Sequence, residues 1–300
     1  MSELISGLVL RARASFYDVE TEQGVLQAQV RGRLKQEQIG GDFVTIGDRV
    51  RLQPMQDGPA MIEVVEERSR ALSRRTPGRE AKQVLLANPD QAVFVFACAD
   101  PDPNFRMLDR LLVMAESERI PAMICANKLD LVKPKSAREE FGEYDRIGYP
   151  VFYTSAIKGR GVRKLRRELK DRISIFAGPS GTGKSTLLNA VQPGLGLRTE
   201  EVSEVGLGAH TTVLRELLPL EGGGYVADTP GLRAFALWDI EAEELDGYFR
   251  EIAPLVEHCD FNDCTHTHEP GCAVTHAVRE GRVSPERYDS YLRMREGVQD

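Results

Sequence analysis

The stretch FAGPSGTGKSTLL, residues 176–188, closes an apolar β-type run (ISIFAG) and opens a helical one. Within it, GPSGTGKS (178–185) satisfies G-x-x-x-x-G-K-[ST] in full, in the strand, loop and helix setting that this phosphate-binding motif requires. Gly178, Gly181 and Gly183 permit a tight backbone whose N–H groups point at phosphate oxygens, and the following helix adds a favourable field. The run Gly178, Pro179, Ser180, Gly181, Thr182, Gly183, Lys184, Ser185 and Thr186 is therefore expected to cradle the phosphates of a nucleotide. Lys184 would bridge β- and γ-phosphates, and Ser185 would ligate Mg²⁺.

Downstream, GGYVADTPG (223–231) reads as a strand ending in D-x-x-G. Asp228 would hold Mg²⁺, and the Gly231 N–H would sense the γ-phosphate. Between the two lies GLGAHTTV (206–213), in which Thr211 or Thr212 would complete the Mg²⁺ shell; Thr212 is favoured.

Upstream, ANKLDLV (126–132) places Asn127, Lys128 and Asp130 after the strand-like PAMICA. A carboxylate at 130 can accept hydrogen bonds from the N1–H and exocyclic amine of guanine, whereas adenine lacks that donor pair. TSA (154–156) also stands at a strand end, with Ser155 beside it and the Ala156 N–H offered to the guanine O6. The base-reading pieces thus precede the phosphate loop, the reverse of the usual order. A parallel sheet builds its site from loops at one edge, so the order along the chain is immaterial provided each loop follows its strand. The sequence predicts a circularly permuted P-loop GTPase domain, with the helix at 161–171 running into the strand at 173–177 where the old termini were joined.

Around this core the texture changes twice. Residues 1–68 alternate short β-type runs with glycine-rich turns, which predicts a small closed all-β barrel of oligonucleotide-binding (OB-fold) type, with an SH3-like barrel as the alternative. RSRALSRRTPGREAKQ (68–83) reads as a linker. The permuted α/β domain would occupy 69–238, its apolar runs alternating with amphipathic ones. From 239 to 300 the chain reads as a helical module, acidic at first (DIEAEELDGYFREIAPLVEH). CDFNDCTHTHEPGC (259–272) then gives C-x4-C-x-H-x5-C, four ligands of the kinds zinc prefers: Cys259, Cys264, His266 and Cys272. His258, His268 and His276 are further imidazoles close by. Four protein ligands would close the site, making the zinc structural. Cys98 and Cys125 sit in apolar strands and read as inert core.

With 39 basic against 46 acidic residues and a formal charge of −7, the whole chain does not announce a polyanionic partner, so any RNA must meet a local patch. Arg11, Arg13, Arg31, Arg33 and Lys35 of the barrel, arginines of the linker and the basic face of helix 161–171 are the candidates. The longest apolar run falls far short of the roughly 18 residues that span a bilayer, and the N-terminus is the reverse of a secretory signal; a cytoplasmic monomer with no membrane partner is expected.

Barrel, permuted GTPase and Cys/His module in this order resemble the small ribosomal subunit biogenesis GTPase family (ribosome small-subunit-dependent GTPase A), along essentially the whole chain. The resemblance implies binding to the small ribosomal subunit and its rRNA late in maturation, with GTP hydrolysis to GDP stimulated by the subunit. It also implies that Cys259, Cys264, His266 and Cys272 hold zinc and that His210, in GAHTT, takes part in catalysis. The position after D-x-x-G, often a water-orienting glutamine, is Leu232, which predicts slow unaided turnover. A second reading is a GTP-gated rRNA-binding assembly protein whose hydrolysis is incidental. Switch II, around 228–238, leads straight into the Cys/His module, which suggests a mechanical link between them.

Overall fold

We describe a computed structural model of the protein over residues 4–13, 15–31, 44–74, 83–197, 216–228 and 240–298. Five strands, β1 (Ile5–Arg13), β2 (Phe16–Thr21), β3 (Gly24–Val30), β4 (Arg49–Gln53) and β5 (Ala60–Val65), close a barrel in the order β1-β2-β3-β5-β4. All pairs are antiparallel except β3 with β5, a topology that decides for the OB-type barrel over the SH3-like one. Alternation along the strands turns Val9, Val19, Ala28, Val50, Leu52 and Ile62 inward to form its core.

The expected linker is only partly one. Ala71–Arg74 forms β6, which pairs antiparallel with β7 (Gln83–Ala87), and Leu72 is fully buried. Five arginines in the stretch hide this short apolar pair from a reading by composition. Arg70 Nε donates to the Arg119 carbonyl at 2.8 Å and Ser73 Oγ to Glu118 Oε1 at 2.7 Å, so the segment is strapped to the next domain. Gly47, at φ 84°, approaches so closely that a Cβ there would lie 2.1 Å from the Ala87 carbonyl oxygen. What reads as a turn between barrel strands is also the joint between domains.

The second domain is a six-stranded sheet ordered β10-β9-β8-β11-β13-β12, from Val151–Tyr153, Ala122–Asn127, Gln91–Ala97, Ile173–Ala177, Tyr225–Asp228 and Leu218–Pro219 respectively. All neighbours are parallel except β12, an antiparallel edge. Every residue of β8, β9 and β11 is buried, as expected of strands covered on both faces. Helices α1 (Phe105–Ser117) and α2 (Pro134–Arg146) cover the face that carries Phe94 and Phe96. Helices α3 (Val162–Leu169) and α4 (Lys184–Val191) cover the face of Val93 and Val95. The phosphate-loop strand β11 lies centrally, between β8 and β13, although the chain reaches it after β9 and β10. This is the permuted arrangement anticipated from the motifs.

The C-terminal module contains α5 (Ala253–Val256), α6 (Ala273–Arg279) and α7 (Pro285–Arg295). The acidic run before them is less helical than its composition suggests, with only a 3₁₀ turn at Leu245–Tyr248 ahead of α5. The phenylalanine, isoleucine and leucine in that run serve the module core instead: Phe249, Ile252 and Leu245 are buried with Val274, Ala277 and Tyr291. Val113 of α1 enters this core, whereas Leu108, Leu111 and Leu112 face the sheet, so α1 is shared between domain and module. Among the described residues, no helix is long and apolar enough to cross a membrane.

Candidate nucleotide site and metal centre

The loop after β11 turns on Gly178, whose Cβ, were there one, would lie 2.0 Å from the Val95 carbonyl oxygen. Gly181 and Gly183 adopt φ of 77° and 84°, which side chains rarely tolerate. Gly183 caps α4, and Lys184 and Ser185 form its first turn. Lys184 Nζ arches back over the loop, donating to the carbonyls of Gly178 (2.8 Å) and Pro179 (2.7 Å), while Thr182 Oγ1 donates to Pro179 O at 3.0 Å.

At the end of β9, Asn127 is 1% exposed and ties the two halves of the site together. Its Nδ2 donates to the Thr182 carbonyl in the phosphate loop at 2.9 Å. Its Oδ1 accepts from Thr154 Oγ1 at 3.0 Å and, more weakly, from the Ala156 N–H at 3.3 Å. One buried amide therefore joins the loops after β9, β10 and β11. Lys128 takes the left-handed conformation, φ 59°, and starts the 3₁₀ turn Leu129–Leu131, so the chain reverses sharply and leaves the Asp130 carboxylate exposed. Leu129 anchors this turn through its N–H to Thr154 O at 2.9 Å. Ser155 Oγ donates to Asp130 Oδ1, and this hydrogen bond is the main reason the carboxyl is held below its ordinary range. Lys128 Nζ donates to the Asp100 carbonyl in the loop after β8.

Asp228 ends β13 opposite Phe176 of β11, two residues before Gly178. Thr211, Thr212, His210 and Gly231 lie outside the described residues.

The four C-terminal ligands also meet: one donor atom from each of Cys259, Cys264, His266 and Cys272 lies within 4.8 Å of the others. A tetrahedral zinc with its usual bond lengths needs edges of roughly 3.8 Å between sulfurs and about 3.6 Å between sulfur and nitrogen. Cys259 and Cys272 Sγ are 4.0 Å apart, and His266 Nδ1 lies 3.5 and 3.4 Å from them, so the cluster has the dimensions to hold such an ion. His266 is fully buried, and its Nε2 meets Asp246 Oδ2 at 3.1 Å, the carboxylate support that fixes a ligating imidazole. Burial opposes the Cys272 thiolate, but the Thr275 N–H and His266 outweigh it and draw the thiol down to about 7. By contrast, burial pushes Cys98 and Cys125 up to about 12, and both remain inert core thiols.

Two family models match the chain: "RsgA N-terminal domain" over residues 6–62 and "RsgA GTPase" over 65–238, more than half of its length. The chain belongs to the RsgA GTPase family. Full-length similarity carries the family assignment through the C-terminal module. The small ribosomal subunit biogenesis GTPase RsgA of Gemmatimonas aurantiaca is 46% identical over 99% of this chain and 98% of its own. Its namesake in Caldanaerobacter subterraneus subsp. tengcongensis is 41% identical over 99% and 97%. Among solved structures, YjeQ from Thermotoga maritima superimposes with a TM-score of 0.82 at 34% identity, covering 99% of both chains. YloQ, described as a circularly permuted GTPase, gives 0.78 at 31% identity over 99% and 95%.

Sequence reasoning missed several residues that build the RsgA-type site. Thr154 orients Asn127 by its hydroxyl, Asp100 receives Lys128, and Asp246 supports His266 from 20 residues away. Thr154, next to Ser155 at a strand end, was within reach of the motif; the other two pair only through tertiary folding. The basic candidates for RNA fare unevenly. Arg11 pairs with Glu216, Arg31 with Glu63 at 2.6 Å and Arg68 with buried Asp48 at 2.7 Å. On α3, Arg166 donates to the Val191 carbonyl, and Lys164 lies over the Phe152 ring. Arg33, Lys35, Arg75 and Arg79 lie outside the described residues. Arg163 and Arg167 are exposed on that helix, as are Lys164 and Arg166.

Proposed function

We propose that this chain is a cytoplasmic, monomeric GTP hydrolase that binds the small ribosomal subunit and its rRNA and acts late in the subunit's maturation. The Asn127 to Thr182 hydrogen bond carries the reading, because it joins a guanine-reading loop to a phosphate-binding loop across the permuted chain order. The names of full-length relatives supply the ribosomal context.

In this reading Asp130 accepts from guanine N1–H and the exocyclic amine, with Ser155 holding the carboxylate ionised and oriented. Ala156 offers its N–H to the guanine O6. Glycine-enabled N–H groups of 178–186 surround the phosphates, and Lys184 exchanges its two carbonyl acceptors for β- and γ-phosphate oxygens. Mg²⁺, bound with the nucleotide, would be held by Ser185, Asp228 and Thr212 and would neutralise charge that develops on the phosphates. Gly231 would sense the γ-phosphate. Leu232 has no group to orient water, so that role falls to His210 once the partner sets the loop. The Cys/His cluster holds structural zinc, a reading supported by the sulfur and nitrogen spacings.

The test is GTP turnover with and without purified small subunits, with large subunits and ATP as controls. We expect a rise of about tenfold or more, specific to small subunits and GTP, that His210→Ala removes. Equal stimulation by large subunits would refute the partner, and full stimulation of the His210 variant would refute that residue's role.

A further inference from the structure

The barrel rests on the hairpin that separates the two nucleotide-sensing segments. Arg11 of β1 forms an isolated antiparallel bridge with Glu216, and the Leu217 N–H donates to the Leu10 carbonyl at 2.8 Å. The guanidinium of Arg11 pairs with the Glu216 carboxylate and also lies 3.8 Å from Asp18. A second contact comes from β2, where Glu20 accepts from the hydroxyl of Tyr225. Leu10 and Leu217 are buried beneath these contacts, at 9% and 2% exposure.

The position of these residues gives the contacts their meaning. Glu216 follows the threonine-bearing stretch 206–213 by three residues, and Tyr225 precedes Asp228 by three. Strand β12 is only two residues long, paired to β13 through Leu218 with Val226 and Pro219 with Tyr225. The barrel contacts therefore fall at the start of a short antiparallel edge. A shift at either end of the hairpin must strain the barrel contacts, and a pull on the barrel must strain the hairpin.

We propose that the barrel and the bound nucleotide are coupled through this hairpin, with the Arg11–Glu216 pair as the coupling contact. The proposal rests on the GTPase reading above. A polyanionic surface loading the barrel biases the segment that leads to Thr212 and the strand that ends at Asp228. Reciprocity then requires the nucleotide to alter the hold on the barrel. Both side chains are about one-third exposed, so the pair contributes on the order of 1 kcal/mol, a factor of roughly five.

Hydrogen exchange of residues 5–13 in the full-length protein, bound to GDP or to a non-hydrolysable GTP analogue, tests this without the ribosome. We expect wild-type exchange there to differ by roughly three- to five-fold between the nucleotides. The difference should collapse in Glu216→Ala and in Arg11→Glu, and return in the double charge reversal Arg11→Glu/Glu216→Arg. Basal GTP turnover of Glu216→Ala should stay within about two-fold of wild type. Identical wild-type exchange with both nucleotides overturns the coupling, as does an undiminished difference in Glu216→Ala. Loss in both single variants without recovery in the double variant overturns the role of the pair. Guanine preference is measured separately and stands or falls with the GTPase reading alone.

Discussion

Alanine at Cys272 is expected to abolish the metal binding proposed for the Cys/His cluster and to unfold the C-terminal module while leaving the six-stranded sheet intact. The residue serves the fold three times. Its Sγ sits 3.4 Å from His266 Nδ1 and 4.0 Å from Cys259 Sγ, accepts from the Thr275 N–H at the start of α6, and is buried in the module core. Structural zinc sites carry on the order of 10 kcal/mol of apparent binding free energy, and here the apolar core around them is small. Two tyrosines add to the linkage, Tyr288 donating to His266 O at 2.5 Å and Tyr291 to Thr265 O at 3.0 Å, so α7 is tied to the loop that carries the Cys/His cluster. Metal content and hydrogen exchange over 240–298 provide the measurement. A variant without metal whose module exchanges at the wild-type rate would show that the cluster is not structural.

Arg287→Ala is expected to cost about 3–5 kcal/mol, with the loss concentrated where the module docks on α1. Arg287 is 2% exposed; its guanidinium reaches Asp109 Oδ1 at 2.6 Å and both oxygens of Glu251, at 2.6 and 3.1 Å, and lies over the Phe249 ring. Removing the cation leaves two buried carboxylates facing each other. Burial already raises the Asp109 carboxyl against the pull of Arg287, so this carboxylate would take up a proton once the arginine is gone. Denaturant unfolding measures the cost. Replacing the triad as a whole, Arg287→Met with Asp109→Asn and Glu251→Gln, should recover most of it, because no charge is then left unpaired. A loss below about 1 kcal/mol in the single variant would contradict this account.

This cluster bears on the mechanical link expected through switch II. Arg250 adds a second clamp, donating to Glu116 Oε1 at 2.7 Å and to Gly148 O at 2.6 Å and stacking on Tyr149. The Arg287–Asp109 pair is buried and the Arg250–Glu116 pair half-buried, so a pull through switch II that shifted the module relative to α1 would have to break both. Residues 229–239, which make the connection, lie outside the described residues.

The sequence was most legible where one short motif carries its own geometry. The phosphate loop, the base-reading tetrapeptide and the Cys/His spacing each demand particular residues at fixed offsets, and from them the permuted sheet followed. The barrel was legible because period-two alternation places Val9, Val19, Val50 and Ile62 on one face. Reading failed where neighbours in space are far apart in the chain. The short β6 strand was hidden by its arginines, and Leu72 is buried only because β7 returns beside it. The acidic run at 240–258 reads as helix by composition, yet its apolar residues are spent on a core that exists only once the module folds on α1. The acidic partners of Arg11, Arg31 and Arg68, namely Glu216, Glu63 and Asp48, are distant in sequence, so these ion pairs were not legible in it.

The central claim is that loops from separate parts of the chain converge on one guanosine triphosphate, with Asp130 at its base and Lys184 at its phosphates. Competition binding of GTP, ATP and xanthosine triphosphate to wild type and to Asp130→Asn tests it most directly. Two charge-assisted hydrogen bonds at about 1.5–3 kcal/mol each predict that wild type prefers GTP by at least roughly a hundredfold. In Asp130→Asn the preference should pass to the xanthine nucleotide, whose C2 carbonyl accepts from the new amide. Equal affinity of wild type for GTP and ATP, or an unchanged GTP preference in the variant, would contradict the account.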